Sequence, residues 1–458
     1  MSEPLRNIVG KGLFWTSSGS VILKVLSLFT IFIVLTRLSV YEYGLVKLAT
    51  SIIPLLGILT LPGITNVVIA DIGTEKGCGR LGKARAILKN FFFLQVILAI
   101  VGWAIVYFAA EIIADFYKGQ ITVLLKVVSF SFLISPIRTV FSVVFGVYFR
   151  FLYKSLFSII EESFKFVLIV FFLFFLSMGP VGFVLAQVLG EVLALVVTFP
   201  VFWRVLHPLY RAEDKEHVPL LYLLQNHGKW ALFATYLSNF GRSIRLWIIK
   251  FILGTEAVGL FTVAQGILSN TKSLLPLGSI IAPIIPQYME DRARFFMLAA
   301  KSIKYQMAGF MLLGVAMFFV FPYMLVELFP NYTGSIVLFQ IILVALIPAA
   351  FTATMNPVYF ALKRQKDLFF AMVFGTVLIV VFAPIFLQTF GIVGIAYEFV
   401  LTGAIFALER YRALRKIIPE FKISLKDFFT IDEYDKEIIS LLVMKLEKTL
   451  RLLHRRER

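Results

Sequence analysis

Runs of about 20 apolar residues alternate with short polar stretches along most of the chain. An α-helix of that length crosses the roughly 30 Å hydrocarbon core of a bilayer. The pattern therefore predicts an all-α polytopic membrane protein with about twelve transmembrane helices. The predicted spans cover residues 13–36, 43–70, 90–110, 122–149, 156–176, 180–203, 231–253, 257–285, 303–326, 336–362, 368–388 and 391–409.

One short sequence cassette occurs twice, as EYGLVKLATSI at Glu42–Ile52 and as AVGLFTVAQGI at Ala257–Ile267. At an offset of 215 residues, Gly44, Leu45, Ala49 and Ile52 recur as Gly259, Leu260, Ala264 and Ile267. Two shorter matches, VYF and GxVG, begin at Val147, Val358, Gly179 and Gly391. Such a repeat with an even number of spans predicts two six-helix lobes, related by a pseudo-two-fold axis along the membrane normal, with a cavity between them.

The polar stretches between the spans define the predicted domains. Residues 1–203 form the N-terminal lobe, 204–230 a cytoplasmic inter-lobe loop, 231–409 the C-terminal lobe and 410–458 a cytoplasmic basic tail. Leucines and isoleucines from Ile438 to Leu453 line one face of a predicted tail helix, with lysines and arginines among the remaining positions. We expect this amphipathic helix to lie on anionic membrane lipids or to pack under the lobes. A regulatory role is the alternative.

Composition supports a membrane protein and excludes a soluble enzyme. The chain of 458 residues is 60% hydrophobic and 16% charged, against about 45–50% and 25% in soluble domains. The net charge of +17 lies mainly in short loops and the tail, so it does not indicate nucleic-acid binding. With the N-terminus inside, predicted cytoplasmic segments hold 33 lysines and arginines, whereas the outer loops hold four, namely Arg37, Lys47, Lys118 and Lys250. This distribution predicts a multi-pass protein of the cell membrane with both termini cytoplasmic.

Sequence motifs give no sign of catalysis. Gly77–Gly82 formally matches the dinucleotide fingerprint GxGxxG, but it lies in a basic loop between two spans and not after a β-strand. No nucleotide-hydrolysis motif and no metal-ligand spacing occurs in the sequence. We therefore expect no enzyme, no cofactor and no bound metal, and we expect transport to be driven by a coupling ion or to run downhill.

The informative residues are charges inside the spans. A charge at the centre of a span costs about 2.5–3.5 kcal/mol on insertion scales, so it normally faces a cavity or a partner. Lys165 follows Glu161 and Glu162 by one turn, so a local ion pair is expected, and Lys126 lies near a helix end. The remaining cations have no such local partner and are the candidate substrate-binding residues: Arg242, Arg245, Lys24, Arg138 and Lys272. The alternative is that they pair between helices with Glu191 or Glu398.

Prolines occur at corresponding places in the two halves. Pro54 and Pro62 lie in the second span, and Pro276 and Pro283 in the eighth. A proline removes a backbone donor and kinks its helix, as is also expected at Pro136 and Pro348. We predict that the second and eighth spans form a gate that moves as the lobes rock. Static kinks that only shape packing are the alternative.

Several short segments resemble the polysaccharide and oligosaccharide exporters of the multidrug/oligosaccharidyl-lipid/polysaccharide superfamily. They are Lys11–Trp15, Thr36–Ser39, Glu42–Leu45, Ile252–Gly254, Val258–Phe261, Ala264, Pro283–Pro286 and Gly391–Gly394. The resemblance implies a flippase that moves a lipid-diphosphate-linked oligosaccharide from the inner to the outer leaflet by alternating access. Many relatives carry an acidic residue in span 7, where this chain has Arg245 and Lys250, and the departure suits an anionic substrate.

Three functions stay open at this point. A flippase for a lipid-linked oligosaccharide would bind the pyrophosphate through the arginines. A multidrug or organic-cation antiporter of the same superfamily would need unpaired acidic residues in its cavity. A non-transporting assembly partner of glycan synthesis would need neither a cavity nor the charges. Glycan-assembly proteins are in any case expected partners.

The predicted topology can be tested with single cysteines introduced in a Cys78→Ser background. We expect Gly119→Cys, in a predicted outer loop, and Gln365→Cys, in a predicted cytoplasmic loop, to react with an impermeant maleimide from opposite sides. Labelling of both cysteines from one side of oriented vesicles would contradict the topology.

Overall fold

The computed structural model describes residues 5–115, 121–211, 227–275, 292–362 and 364–417. Within these ranges the chain is helical and contains no β-strand. The α-helices are α1 Leu5–Arg37, α2 Val40–Leu55, α3 Ile64–Gly77, α4 Leu81–Asp115, α5 Thr122–Val147, α6 Phe151–Val170, α7 Gly179–Tyr210, α8 His227–Leu253, α9 Thr255–Ser273, α10 Arg292–Leu328, α11 Ser335–Ile342, α12 Leu346–Ala361, α13 Gln365–Phe390 and α14 Ile392–Ile417.

Eight candidate spans among the described residues are long and apolar enough to cross a membrane, with α11 and α12 together forming one of them. Of the other four predicted spans, α6 and α8 carry several charged residues, α9 covers its span as far as Ser273, and α2 and α3 are two short halves of one broken span. Each of these helices lies where the pattern of apolar runs predicts a span. The helices therefore agree with an all-α membrane protein of about twelve spans.

The second span is broken and not merely kinked. The predicted single helix over 43–70 ends at Leu55, continues as a 3₁₀ turn at Gly57–Thr60, and begins again at Ile64. Pro54 and Pro62 lie on either side of this turn. Leu61 and Gly63 both have positive φ angles, 49° and 84°, which do not fit a right-handed helix. The expectation of one kinked helix is therefore wrong here, because two prolines and two left-handed residues leave no continuous backbone ladder.

Other prolines disturb their helices less. Pro136 lies inside α5, which continues through it, so the predicted interruption does not occur there. Pro348 lies in the first turn of α12, where a missing backbone donor costs little, and a 3₁₀ turn at Leu343–Ala345 precedes it. Pro276 and Pro283 lie outside the described residues.

The two halves pack corresponding helices in corresponding pairs. In the first half α1 packs on α6, α6 on α7, and α4 on α5. In the second half α8 packs on α13, α13 on α14, and α10 on α12. Since α1 corresponds to α8, α6 to α13 and α4 to α10, both halves have one plan. Below, they are called the N-lobe and the C-lobe.

The repeated cassette forms the contact between the lobes. The N-lobe helix α2 packs on the C-lobe helices α8 and α9. A Cβ atom added to Gly44 would lie 2.2 Å from the carbonyl oxygen of Thr255, and one added to Gly259 would lie 2.2 Å from that of Val40. Thr255 follows Val40 by the same 215 residues that separate the glycines. The contact is thus made twice, with the partners exchanged, as an isologous interface requires. Only glycine allows the two helix backbones to approach so closely.

Further contacts join the lobes around this crossing, at the end of the molecule that the charge distribution predicts to be outside. The Tyr332 hydroxyl donates a hydrogen bond to the Leu38 carbonyl at 2.8 Å, and its ring meets Tyr43 edge to face. The indole nitrogen of Trp247, on α8, donates to the Ser51 hydroxyl, on α2, at 3.0 Å. Ser39 and Glu42 form a capping box that starts α2 at Val40. The lobes are closed against each other at this end.

The helices extend beyond three of the predicted domain boundaries. Helix α7 continues to Tyr210, past the predicted end of the N-lobe at residue 203. Helix α8 begins at His227, before the predicted start of the C-lobe at residue 231, and α14 continues to Ile417, past residue 409. Residues 212–226 and 418–458 lie outside the described ranges. The inter-lobe loop and the amphipathic tail therefore remain predictions.

We predict that Gly44→Ala destabilises the closed contact, because the new methyl group has no room beside the Thr255 carbonyl. The expected loss is about 1–3 kcal/mol, the usual cost of overpacking, and it should lower the midpoint of thermal unfolding. Gly73→Ala is the matched control, since nothing lies within 4 Å of a Cβ atom at that helical position. Equal midpoints for the two variants would show that the glycine contact does not hold the lobes together.

Candidate functional site: cavities between and within the lobes

A cavity of about 350 Å³ lies between the lobes and is called the central cavity here. Helix α2 forms its N-lobe wall, and α8 and α9 form its C-lobe wall. Its polar lining includes Lys47, Asn239, Arg242, Ser243, Gln265 and Ser269. No carboxylate is among the described residues that line it. Two cations and several neutral polar groups therefore face one another across the boundary between the lobes.

Arg242 is the candidate residue that lies at this boundary. It lines the central cavity and also a cavity of about 210 Å³ inside the C-lobe, called the C-lobe cavity here. Its guanidinium donates to the Asn239 side chain and to the Ser238 carbonyl. No carboxylate of the described residues lies within ion-pair distance. Arg242 thus keeps its charge available to a ligand.

Arg245, one turn further along α8, has a different environment. Its Nε and Nη2 atoms donate to the two carboxylate oxygens of Glu398 at 2.9 and 3.2 Å. Both side chains are buried, with 4% and 0% exposure. This bidentate pair joins α8 to α14. Arg245 also lines the C-lobe cavity, but Glu398 compensates its charge. For this arginine, the alternative of pairing between helices with Glu398 is therefore the one observed.

Lys272 completes the cationic end of the C-lobe cavity. Its ammonium lies 5.7 Å from the ring centroid of Phe399, and Phe399 lines the same cavity. The remaining lining is mostly apolar or small, for example Leu237, Ala345 and Phe406. The C-lobe cavity therefore combines an apolar wall with Arg242, Arg245 and Lys272 at one end.

Lys24 connects the lobes in another way. Its ammonium, on α1, donates a hydrogen bond to the Ser273 carbonyl. Ser273 is the last residue of α9, and carbonyls at a helix end have no partner within the helix. The lysine thus caps the negative end of a C-lobe helix from the N-lobe.

Arg138 lies in a cluster of charges inside the N-lobe. Its guanidinium is 3.0 Å from Glu161 and 3.8 Å from Glu191. Lys165 lies 2.6 Å from Glu161, which confirms the expected local pair, and 3.4 Å from Glu191. A third cavity, of about 380 Å³ and called the N-lobe cavity here, reaches this cluster at Glu191. Arg138 is not among the residues that line any of the three cavities.

Lys47 is a candidate that the sequence pattern did not reveal. The charge count assigned it to an outer loop, but it lies within α2 and lines both the central and the N-lobe cavity. The count also assigned Lys250 to a loop, and it lies within α8. The available signal was that Lys47 already lies inside the predicted span 43–70, although it was counted with the outer loop. In the repeat, Lys47 corresponds to Thr262, 215 residues later, which lines the same central cavity.

Of the predicted gate residues, Pro54 is brought to the central cavity. It lies in the last turn of α2 and lines that cavity. Pro62 lies within the break, two residues before α3 begins at Ile64. The break therefore begins beside the central cavity, and the gate remains a prediction.

Comparison with known families decides the relationship. Residues 9–289, more than half of the chain, match the family model described as polysaccharide biosynthesis protein. The chain belongs to this family. The resemblance inferred from short sequence segments is thereby confirmed, and the chain is a multi-pass membrane protein. A search of curated proteins found no match.

Several solved structures share the fold. An inward-facing multidrug resistance MATE family transporter of the MOP superfamily has a TM-score of 0.73 at 15% identity, over 87% of this chain and 95% of its own. An outward-facing multidrug resistance MATE family transporter of the MOP superfamily has a TM-score of 0.67 at 17% identity, over 90% of this chain and 96% of its own. The lipid II flippase MurJ, in an inward closed conformation, has a TM-score of 0.67 at 14% identity, over 95% of this chain and 93% of its own. Two of these three proteins are named as transporters and the third as a flippase. The likeness extends over nearly the whole of each chain.

We predict that the Arg245–Glu398 pair is required for the C-lobe to pack. Arg245→Ala leaves a buried carboxylate without its partner, which typically costs about 3–5 kcal/mol. The double variant Arg245→Met/Glu398→Leu removes both charges and should recover most of the thermal stability. A double variant as unstable as the single one would show that packing volume, and not charge compensation, is what the pair supplies.

Proposed function

We propose that the protein is a flippase that moves a lipid-diphosphate-linked oligosaccharide or polysaccharide precursor from the cytoplasmic to the outer leaflet. The two lobes would expose the central cavity to each side in turn. The protein would act in the cell membrane with both termini cytoplasmic, next to anionic lipids and to glycan-assembly proteins. A coupling ion or a downhill gradient would drive it.

The observation that carries this proposal is the state of Arg242. It is a cation within a helix bundle, it lines two cavities, and no described carboxylate compensates it. A sugar diphosphate cannot cross hydrocarbon without fixed opposite charges and hydrogen-bond donors. The planar guanidinium can hold two phosphate oxygens at once, which suits it to lead this interaction.

The other candidates would have graded roles. Lys272 adds a second charge beside Arg242 at the C-lobe cavity. Arg245 is neutralised by Glu398 and would mainly hold α8 in place. Lys24 bonds to the end of α9 and would couple lobe movement to the site. Arg138 lies against Glu161 and Glu191 and would act on the substrate only from a distance.

The N-lobe cavity supports a second candidate function. Glu162 and Glu191 line it, and an organic-cation antiporter needs carboxylates in its cavity. Both carboxylates lie within 3.5 Å of the Lys165 ammonium, so a cationic drug would have to compete with that lysine. The flippase is therefore the proposal that the charges favour. A non-transporting assembly partner would not need three cavities lined by charged groups.

We predict that Arg242→Ala lowers flipping of a fluorescent polyprenyl diphosphate disaccharide in proteoliposomes by about 10- to 100-fold, because charged hydrogen bonds contribute about 1.5–3 kcal/mol. Arg242→Lys should restore part of the rate, since it keeps the charge but loses the planar fork. A dithionite quenching assay measures the fraction that reaches the outer leaflet.

Arg364→Ala serves as the control, because this arginine is 54% exposed and lies 3.8 Å from Asp367 at the surface. Wild-type flipping by Arg242→Ala would place the substrate site elsewhere. Flipping that is absent from the wild-type protein, together with uptake of an organic cation, would favour the antiporter.

A further inference from the structure

The three cavities adjoin at two cations. Lys47 and Thr50 line both the N-lobe and the central cavity. Arg242 is shared by the linings of the central and C-lobe cavities. One of these cations belongs to α2 in the N-lobe and the other to α8 in the C-lobe. The central cavity is therefore bounded by a positive charge from each lobe.

Neither charge is compensated by a described carboxylate. The Lys47 ammonium lies 4.9 Å from the ring centroid of Tyr43, and no carboxylate among the described residues forms an ion pair with it. Arg242 bonds only to a neutral amide and a carbonyl. By contrast, Arg138, Lys165 and Arg245 all lie against carboxylates. A cation without a partner inside an apolar bundle is costly, and an anionic ligand can supply the compensating negative charge.

The neutral groups of the central cavity suit an anion too. Thr50, Ser51 and Thr262 already donate their hydroxyl protons to helix carbonyls. The Asn239 side chain accepts from Arg242 through its oxygen, which leaves its amide hydrogens as donors. Gln265, Ser243 and Ser269 are further donors on the lining. The cavity thus offers two charges and several donors, and its described lining contains no carboxylate. Glu162 and Glu191 line only the adjoining N-lobe cavity.

We propose that Lys47 and Arg242 bind the two ends of one diphosphate group, so that the bound anion ties the N-lobe to the C-lobe. The inference rests on the proposed function and adds the N-lobe half of its anion site. Without an anion, each lobe contributes one cation to the lining of the central cavity that no described carboxylate compensates. With an anion, both charges attract the same group, and the closed arrangement of α2 against α8 and α9 is stabilised. The substrate itself then favours the conformation that encloses it.

The binding test uses purified full-length protein with soluble farnesyl diphosphate as the probe and farnesol and inorganic pyrophosphate as comparisons. Lys47→Gln should weaken binding of farnesyl diphosphate at least tenfold, as should Arg242→Gln, while Lys47→Arg keeps most of the affinity. Lys126→Gln is the matched control, because Lys126 forms a surface pair with Glu111 at 2.7 Å. Pyrophosphate should compete with farnesyl diphosphate, and farnesol should not.

A second measurement tests directly whether the bound anion holds the two lobes together, through a distance between them and not through an affinity. Spin labels on Ile112→Cys and Tyr323→Cys, in a Cys78→Ser background, report the distance between exposed positions of α4 and α10. Farnesyl diphosphate should narrow the distance distribution of the otherwise unchanged protein and leave that of the Lys47→Gln variant broad.

Three outcomes would overturn the inference: unchanged binding by a folded Lys47→Gln variant, competition by farnesol instead of pyrophosphate, or equal narrowing with and without Lys47. If the wild-type protein flips the substrate and any of these outcomes is found, the proposed flippase function is retained and only the proposed link between the lobes through the anion is rejected. Binding with the expected losses, but no flipping by the wild-type protein, would remove the proposed function and keep the anion site.

Discussion

A charge placed among apolar helices must find a partner, and this constraint organises the interior of the molecule. Arg245 meets Glu398, and Arg138 and Lys165 meet Glu161 and Glu191. The Arg138–Glu161 pair joins α5 to α6 and the Arg245–Glu398 pair joins α8 to α14, whereas Lys165 and Glu161 lie one turn apart within α6. Breaking one of these pairs leaves a buried charge uncompensated. Lys24 finds its partner in the free carbonyl of a helix end. Lys47, Arg242 and Lys272 line cavities without a carboxylate partner among the described residues, and they mark the candidate site.

Much of the architecture could be predicted because it depends on local composition. Apolar runs predict spans, and a cassette repeated at a constant offset predicts two halves. What local composition does not give is the path of the backbone where several special residues meet. The prolines at 54 and 62 predict a disturbance, but the complete break follows from the positive φ angles of Leu61 and Gly63, on either side of Pro62.

The site was predictable only in part, because partners in a bundle are set by packing over long distances. Arg242 and Arg245 lie one turn apart and look equivalent in sequence. Glu398, 153 residues away, distinguishes them, since it reaches only one of the two. Lys47 was missed for a related reason. Counting charges towards the loops treats a lysine near the start of a span as exposed, whereas the capping box at Ser39 starts α2 early enough to bring Lys47 between the lobes.

The reciprocal contact of Gly44 with Thr255 and of Gly259 with Val40 lies where the two halves touch each other. At this crossing each copy of the cassette packs on the other, so a larger side chain at either glycine would push apart the same two helices, α2 and α9. A change in one copy therefore alters the surface on which the other copy packs. The cassette that reveals the repeat in the sequence is also a place where the two lobes of the folded protein touch.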